Sequence, residues 1–174
     1  TLGLLHKKHK DQNKSIEILK KGIEIFSESS DLLFNLGNVY LFDNKDYELA
    51  ENCFVKALEL KPSDLDISIN LGKVYKETKK YSYAIKIYKN IIKLYKSKID
   101  GYLGMSAIKL LQGEVKGAKK YIDKAFEIDP SDEKVRQNLS IFLLRSGQTN
   151  EGVKLIENTV GTINFNQNDK FKIL

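Results

Sequence analysis

Residues 30–64 read SDLLFNLGNVYLFDNKDYELAENCFVKALELKPSD, and residues 65–98 read LDISINLGKVYKETKKYSYAIKIYKNIIKLYKSK. Laid one under the other, they share Asn35-Leu36-Gly37 with Asn70-Leu71-Gly72, Val39-Tyr40 with Val74-Tyr75, and Ala50 with Ala84. The step of 34 residues carries on to Ala118, to the series Ala57, Ile91 and Ala125, and to Met105-Ser106 and Leu139-Ser140 in the places of Leu-Gly. A fixed period of that length means a stack of like supersecondary units, none able to bury its apolar face without its neighbours. The chain is therefore expected to be an elongated solenoid whose work is to present a surface.

The units are helical. Ile16, Leu19, Ile23 and Phe26, or Ile85, Tyr88, Ile91, Ile92 and Tyr95, recur at the spacing of one helix face, and no segment alternates like a strand. Turns inside units are marked by Asp43-Asn44-Lys45-Asp46, Lys79-Lys80, Gln112-Gly113 and Ser146-Gly147. Turns between units are marked by Lys61-Pro62-Ser63-Asp64 and Asp129-Pro130-Ser131-Asp132. Proline forces the residue before it out of the α region, and the Ser or Asp that follows can accept a bond from a free amide of the next helix.

Units drawn to begin at Ser30, Leu65, Ile99 and Glu133 give the small residues a mechanical meaning. Gly37, Gly72, Ser106 and Ser140 fall midway along each first helix, and Ala50, Ala84, Ala118 and Gly152 fall early in each second helix. Antiparallel partners are expected to approach closely there, with Tyr40, Tyr75, Phe54, Tyr88 and Ile122 filling the remaining space.

On these residues the chain resembles the tetratricopeptide repeats. Leu33, Leu36, Gly37, Tyr40, Ala50, Phe54, Ala57 and Pro62 follow that family's pattern after one extra residue in the internal turn, and Leu71, Gly72, Tyr75, Ala84, Tyr88 and Ile91 follow it again. Ser68 and Lys96 depart from it in that same 65–98 unit, as do Met105-Ser106 and Lys109 in the 99–132 unit. The resemblance implies an all-α, right-handed α-solenoid of antiparallel helix pairs. Its expected divisions are a truncated unit at 1–29, units at 30–64, 65–98, 99–132 and 133–166, and a cap or further helix at 167–174. The register runs off both ends, with Leu2-Gly3 in phase with Leu36-Gly37, so a larger parent protein is expected.

Composition narrows the function. The net charge of +6 invites a nucleic-acid reading, but Arg136 and Arg145 are the only arginines beside 27 lysines, whereas bidentate recognition of phosphate and guanine favours the guanidinium fork. Lysine clusters such as Lys79-Lys80 and Lys119-Lys120 read as a solvated outer face. Nucleic acid is therefore not the expected partner. No apolar run is long enough to insert into a membrane. His6 and His9 are the only histidines and Cys53 the only cysteine, so neither a metal set nor a nucleophile with its base emerges. The expectation is a non-enzyme without cofactor or metal, with a packed thiol at Cys53 suited to a reducing, cytoplasmic compartment.

The resemblance places the candidate site on the inner surface, lined by first helices. The residues at the corresponding positions are Phe34, Asn35, Asn38, Leu41, Phe42, Ile69, Asn70, Lys73, Leu103, Leu110 and Asn138. A carboxamide both donates to and accepts from a peptide backbone, and exposed apolar residues beside it supply anchoring area. The expected partner is a protein, bound through a peptide or helix. Positions that hold cations in the family's chaperone adaptors carry Phe34, Asp100 and Gly104 here, which argues against capture of a chaperone tail. Alternative readings are a basic RNA-binding or regulatory module, and a substrate-holding segment of a larger transferase. End-to-end self-association is a further expectation.

Overall fold

The computed structural model describes the backbone of residues 2–160 and the side chains of residues 11–157. The expected cap at 167–174, and the end of the unit before it, lie outside these. Every regular element among the described residues is helical: α1 (Leu2–Ile25), α2 (Ser30–Asn38), a π turn (Val39–Asn44), α3 (Tyr47–Leu60), α4 (Leu65–Glu77), α5 (Tyr81–Leu94), α6 (Ile99–Leu111), α7 (Val115–Ile128), α8 (Glu133–Arg145) and α9 (Thr149–Val160). From α2 onward they pack as pairs, α2 on α3, α4 on α5, α6 on α7 and α8 on α9. Contacts of α3 with α4, α5 with α6 and α7 with α8 join the pairs into an all-α solenoid. First helices also touch one another, α4 with α6 and α6 with α8, which puts them on the inner side of the curve.

The helix starts follow the sequence. Ser29, Asp46, Asp64 and Asp132 each accept a backbone N–H from the first turn of the helix they precede, at 2.7–3.3 Å. Asp129 folds the chain around Pro130 by accepting from the Ser131 amide and hydroxyl. The helix α1 differs from the paired units, running unbroken from Leu2 to Ile25. Between Gly3 and Gly22 it holds neither Gly nor Pro, so the two strongest helix breakers are absent there.

Each pair is held at one crossing. A Cβ added to Gly37 would come within 2.7 Å of the Phe54 ring, and one added to Gly72 within 2.7 Å of the Tyr88 ring. At the same register in the next two units the sequence pairs Ser106 with Ile122 and Ser140 with Ile156, and Ser106, Ile122 and Ser140 are all buried. Small and large trade volume unit by unit, as close packing demands. Ala50, Ala84 and Ala118 are fully buried on the second helices. Cys53 is buried too, and desolvation pushes its thiol up, away from the reactive thiolate.

The turn after each first helix places its residue at the same step in the left-handed region: Lys45 (φ 56°), Lys79 (φ 58°), Gly113 (φ 76°) and Gly147 (φ 86°). In the last two units the following amide reaches back five residues, Glu114 to the Lys109 carbonyl and Gln148 to Leu143, closing a Schellman turn. In the first, Asp46 reaches back six, to Tyr40. The extra residue of the 30–64 unit is thus absorbed as a π turn, and the pairs keep their spacing.

Glycine inside a helix normally costs about 0.5–1 kcal/mol against alanine. Gly117→Ala on α7, whose new Cβ would meet nothing closer than 3.5 Å, is therefore expected to stabilise the chain by about that amount. Gly72→Ala is expected to destabilise it by about 1–3 kcal/mol, because the Tyr88 ring must move; urea denaturation of the two variants compares them. Lys79→Gly relieves a left-handed lysine at the cost of a looser unfolded chain, and should raise stability by about 0.5–1 kcal/mol in the same measurement.

Candidate functional site

The inner helices enclose an open cleft of about 530 Å³, running from Phe34 on α2 across α4 and α6 to Gln137 and Asn138 on α8. Its apolar floor is Phe34, Leu65, Ile69, Leu103 and Ala107, with Tyr88 reaching through from α5. Tyr88 can do so because Gly72 and Gly104 flank its ring without side chains; a Cβ on Gly104 would lie 2.3 Å from it. At 3% exposure its phenol is pushed up, first by burial and then by Glu77 and Asp100, so it stays neutral.

A polar chain crosses the rim. Asn70, 8% exposed, donates to Asn38 Oδ1 at 2.7 Å and accepts at its own Oδ1 from Lys73 Nζ at 3.1 Å. The Lys73 ammonium also lies 5.4 Å from the centre of the Phe42 ring. Burial holds the Lys73 pKa below the ordinary lysine range; Lys134 and Lys76 push it the same way, and Asp100 and Asp66 offset part of the shift. Asp100 and Lys134 face one another at 3.5 Å across α6 and α8.

Phe34, Ile69, Asn70, Lys73, Leu103 and Asn138 are brought together in this cleft. Asn38 stands behind Asn70 as its acceptor, and Asn138 donates to the Lys134 carbonyl of its own helix. The asparagine row is thus partly consumed by internal bonds. Leu41 and Leu110, expected on the exposed groove, are instead core residues at 6% and 4% exposure, and Leu103, though it lines the cleft, is 7% exposed and belongs to a core cluster with Ala125 and Val135. The π turn carries Leu41 inward and leaves Phe42 outside, while Phe142 of α8 packs in one cluster with Leu110, Ala118 and Ile122. Asn35 is exposed on α2, outside the cleft lining.

Sequence reasoning placed Asp100 on the inner surface only as a mismatch to the chaperone adaptors, and missed the rest of the charged rim: Asp66, Lys76, Lys98 and Lys134. A signal was present. Asp66, Ile69-Asn70, Lys73 and Lys76 form one stripe at steps of three and four along α4, and Asp100 and Lys134 begin like stripes on α6 and α8. Among the described residues no cluster of three or more His, Cys, Asp or Glu side chains is placed to hold a metal ion, and no helix is long and apolar enough to cross a membrane.

Family profiles of the tetratricopeptide repeat match residues 30–64, 69–97 and 99–132. The chain is 32% identical over 109 residues to the human protein O-mannosyl-transferase TMTC3, an alignment covering 62% of this chain and 12% of that protein. It is 28% identical over 120 residues to the BBSome complex member BBS4 of Xenopus tropicalis, covering 69% of this chain and 23% of the relative. The chain thus spans less than a quarter of either relative's length. Among solved structures, MamA superposes with a TM-score of 0.69 at 20% identity, over 91% of this chain and 86% of its own. YrrB, a TPR protein with an unusual peptide-binding site, superposes at 0.63 and 17% identity, over 90% of this chain and 80% of its own. Matched in sequence over three successive helix pairs and in fold over nearly its whole length, the chain belongs to the tetratricopeptide repeat family.

Proposed function

We propose that this chain is a non-catalytic scaffold that holds a peptide or short helix of a partner protein in the cleft across α2, α4, α6 and α8. The fold and its relatives support protein interaction in general. The observation that carries the finer reading is the cleft's make-up: an apolar floor of Phe34, Ile69 and Leu103 under a rim of amides and charges. Apolar area with a few placed polar groups is what a peptide site needs, the area for affinity and the groups for register.

Catalysis is given no part in this reading, because no nucleophile and base converge in the cleft. RNA binding is the weaker alternative: Lys80, just before α5, pairs with Glu51 and Lys119 of α7 pairs with Asp123, which lowers the charge left for phosphates. A substrate-holding role within a larger transferase draws on the name of the human relative, which has a further 88% of its length outside the alignment. A reducing, cytoplasmic setting belongs to the same proposal, its basis being the lone buried Cys53. So does end-to-end self-association, which a monomeric mass by light scattering over a hundredfold concentration range would remove.

A peptide selected on the chain from a random display library should shift amide resonances of α2, α4, α6 and α8 in a heteronuclear spectrum. Ile69→Ala, at unchanged helicity, should weaken that peptide by about tenfold, the effect of losing part of one buried apolar contact. Shifts confined to α3, α5 and α7, or an affinity that falls steeply with salt for single-stranded RNA, would replace the groove reading.

A further inference from the structure

The cleft holds four lysines, Lys73, Lys76, Lys98 and Lys134, against two aspartates, Asp66 and Asp100, an excess of two positive charges. Within the lining Lys134 is paired with Asp100 at 3.5 Å, and Glu77, just outside it, pairs with Lys76 at 2.9 Å and offsets one charge of the excess. Among the described residues, Lys73 has no carboxylate at ion-pair distance. Its two fixed neighbours, the Asn70 carboxamide at 3.1 Å and the Phe42 ring at 5.4 Å, are neutral. They hold the ammonium in place without cancelling its charge. A half-buried cation of this kind has lost water and has only the more distant Asp100 and Asp66 to offset it, so an arriving anion recovers more there than at a solvated lysine.

The same cleft lining has a gap in its row of amides. Asn35, Asn70 and Asn138 occupy one register position on α2, α4 and α8, but on α6 that position is Gly104. The Tyr88 ring beneath it leaves no room for any side chain there. The row of amides is therefore interrupted over an apolar patch of Tyr88, Leu103 and Ala107, in the helix next to the one that carries Lys73.

Resting on the peptide-groove reading, we infer that the cleft selects a segment in which an apolar side chain stands next to an internal aspartate or glutamate. The apolar group lies on the patch at Gly104, where the lining offers Tyr88, Leu103 and Ala107 and no amide, while the carboxylate meets Lys73. The carboxylate comes from within the segment because Lys73 lies on α4, in the middle of a cleft that runs from α2 to α8; a chain end at Lys73 would leave half of the cleft empty.

The test uses two phage-displayed random dodecamer libraries, one flanked on both sides by phage sequence and one ending in a free C-terminus, selected on the wild-type chain and on Lys73→Gln. The expected result is joint enrichment of Asp or Glu with Leu, Ile, Phe or Tyr from the flanked library. On Lys73→Gln the acidic preference should vanish while the apolar one persists. The winning flanked peptide, made synthetically with capped ends, should bind Lys73→Gln at least about tenfold more weakly, the usual effect of one charge-assisted bond. It should bind Lys73→Arg and Lys119→Gln within about threefold of wild type, which separates loss of the charge from loss of the fold. Apolar enrichment without acid, or an acidic preference unchanged by Lys73→Gln, overturns this inference and leaves the groove reading standing. Enrichment from the free-terminus library alone overturns the internal carboxylate. No selection from either library overturns both.

Discussion

The described helix pairs share one register, a second-helix side chain set against a first-helix position that has almost no side chain, and in α2 with α3 and α4 with α5 the two are seated in contact. Phe54 sits on Gly37 and Tyr88 on Gly72 at distances that exclude a Cβ. Dispersion and area burial reward such contact only when the surfaces mate without gaps, which is why the partner residue contracts to Ile122 where serine replaces glycine. The crossing fixes the distance between the helices of a pair. Through that distance it also fixes how far the inner helices stand from their neighbours.

The same contact shapes the cleft. Tyr88 belongs to the crossing of α4 with α5, yet its ring extends far enough to lie against Gly104 of the next pair. One residue therefore serves as core filler in its own unit, as a wedge between units and as part of the floor of the inner surface. The asparagine row is broken at Gly104 for a packing reason, and the break gives the surface its relief. Lys73 and Asn70 are placed in turn by α4, whose start is fixed by the Asp64 cap and whose end is fixed by the left-handed Lys79.

The periodic sequence tolerates irregularity where the backbone has a way to absorb it. The additional residue after Tyr40 widens one turn to a π turn, and the reach of the closing amide grows from five residues to six. The repeat downstream keeps its phase. The local consequence is confined to Leu41 and Phe42, one carried into the core and the other left exposed at the edge, within reach of Lys73.

The period of the small residues, the proline and aspartate punctuation and the helical spacing of apolar positions were sufficient, from the sequence alone, for the all-α repeat, the pairing of helices and the identity of the crossing residues. These are properties of one unit, and a unit's own residues determine them. The inner floor was legible in part, through Phe34, Ile69, Asn70, Lys73 and Leu103. What the sequence could not settle depends on contacts between units. Leu110 is covered by Phe142 from another helix pair, Asn70 is occupied by Asn38 across 32 residues of chain, and Asp100 meets Lys134 only because α6 and α8 lie side by side. Periodicity specifies which face of a helix is apolar, but only the stacking of neighbours decides which part of that face stays open and which charges remain unmatched.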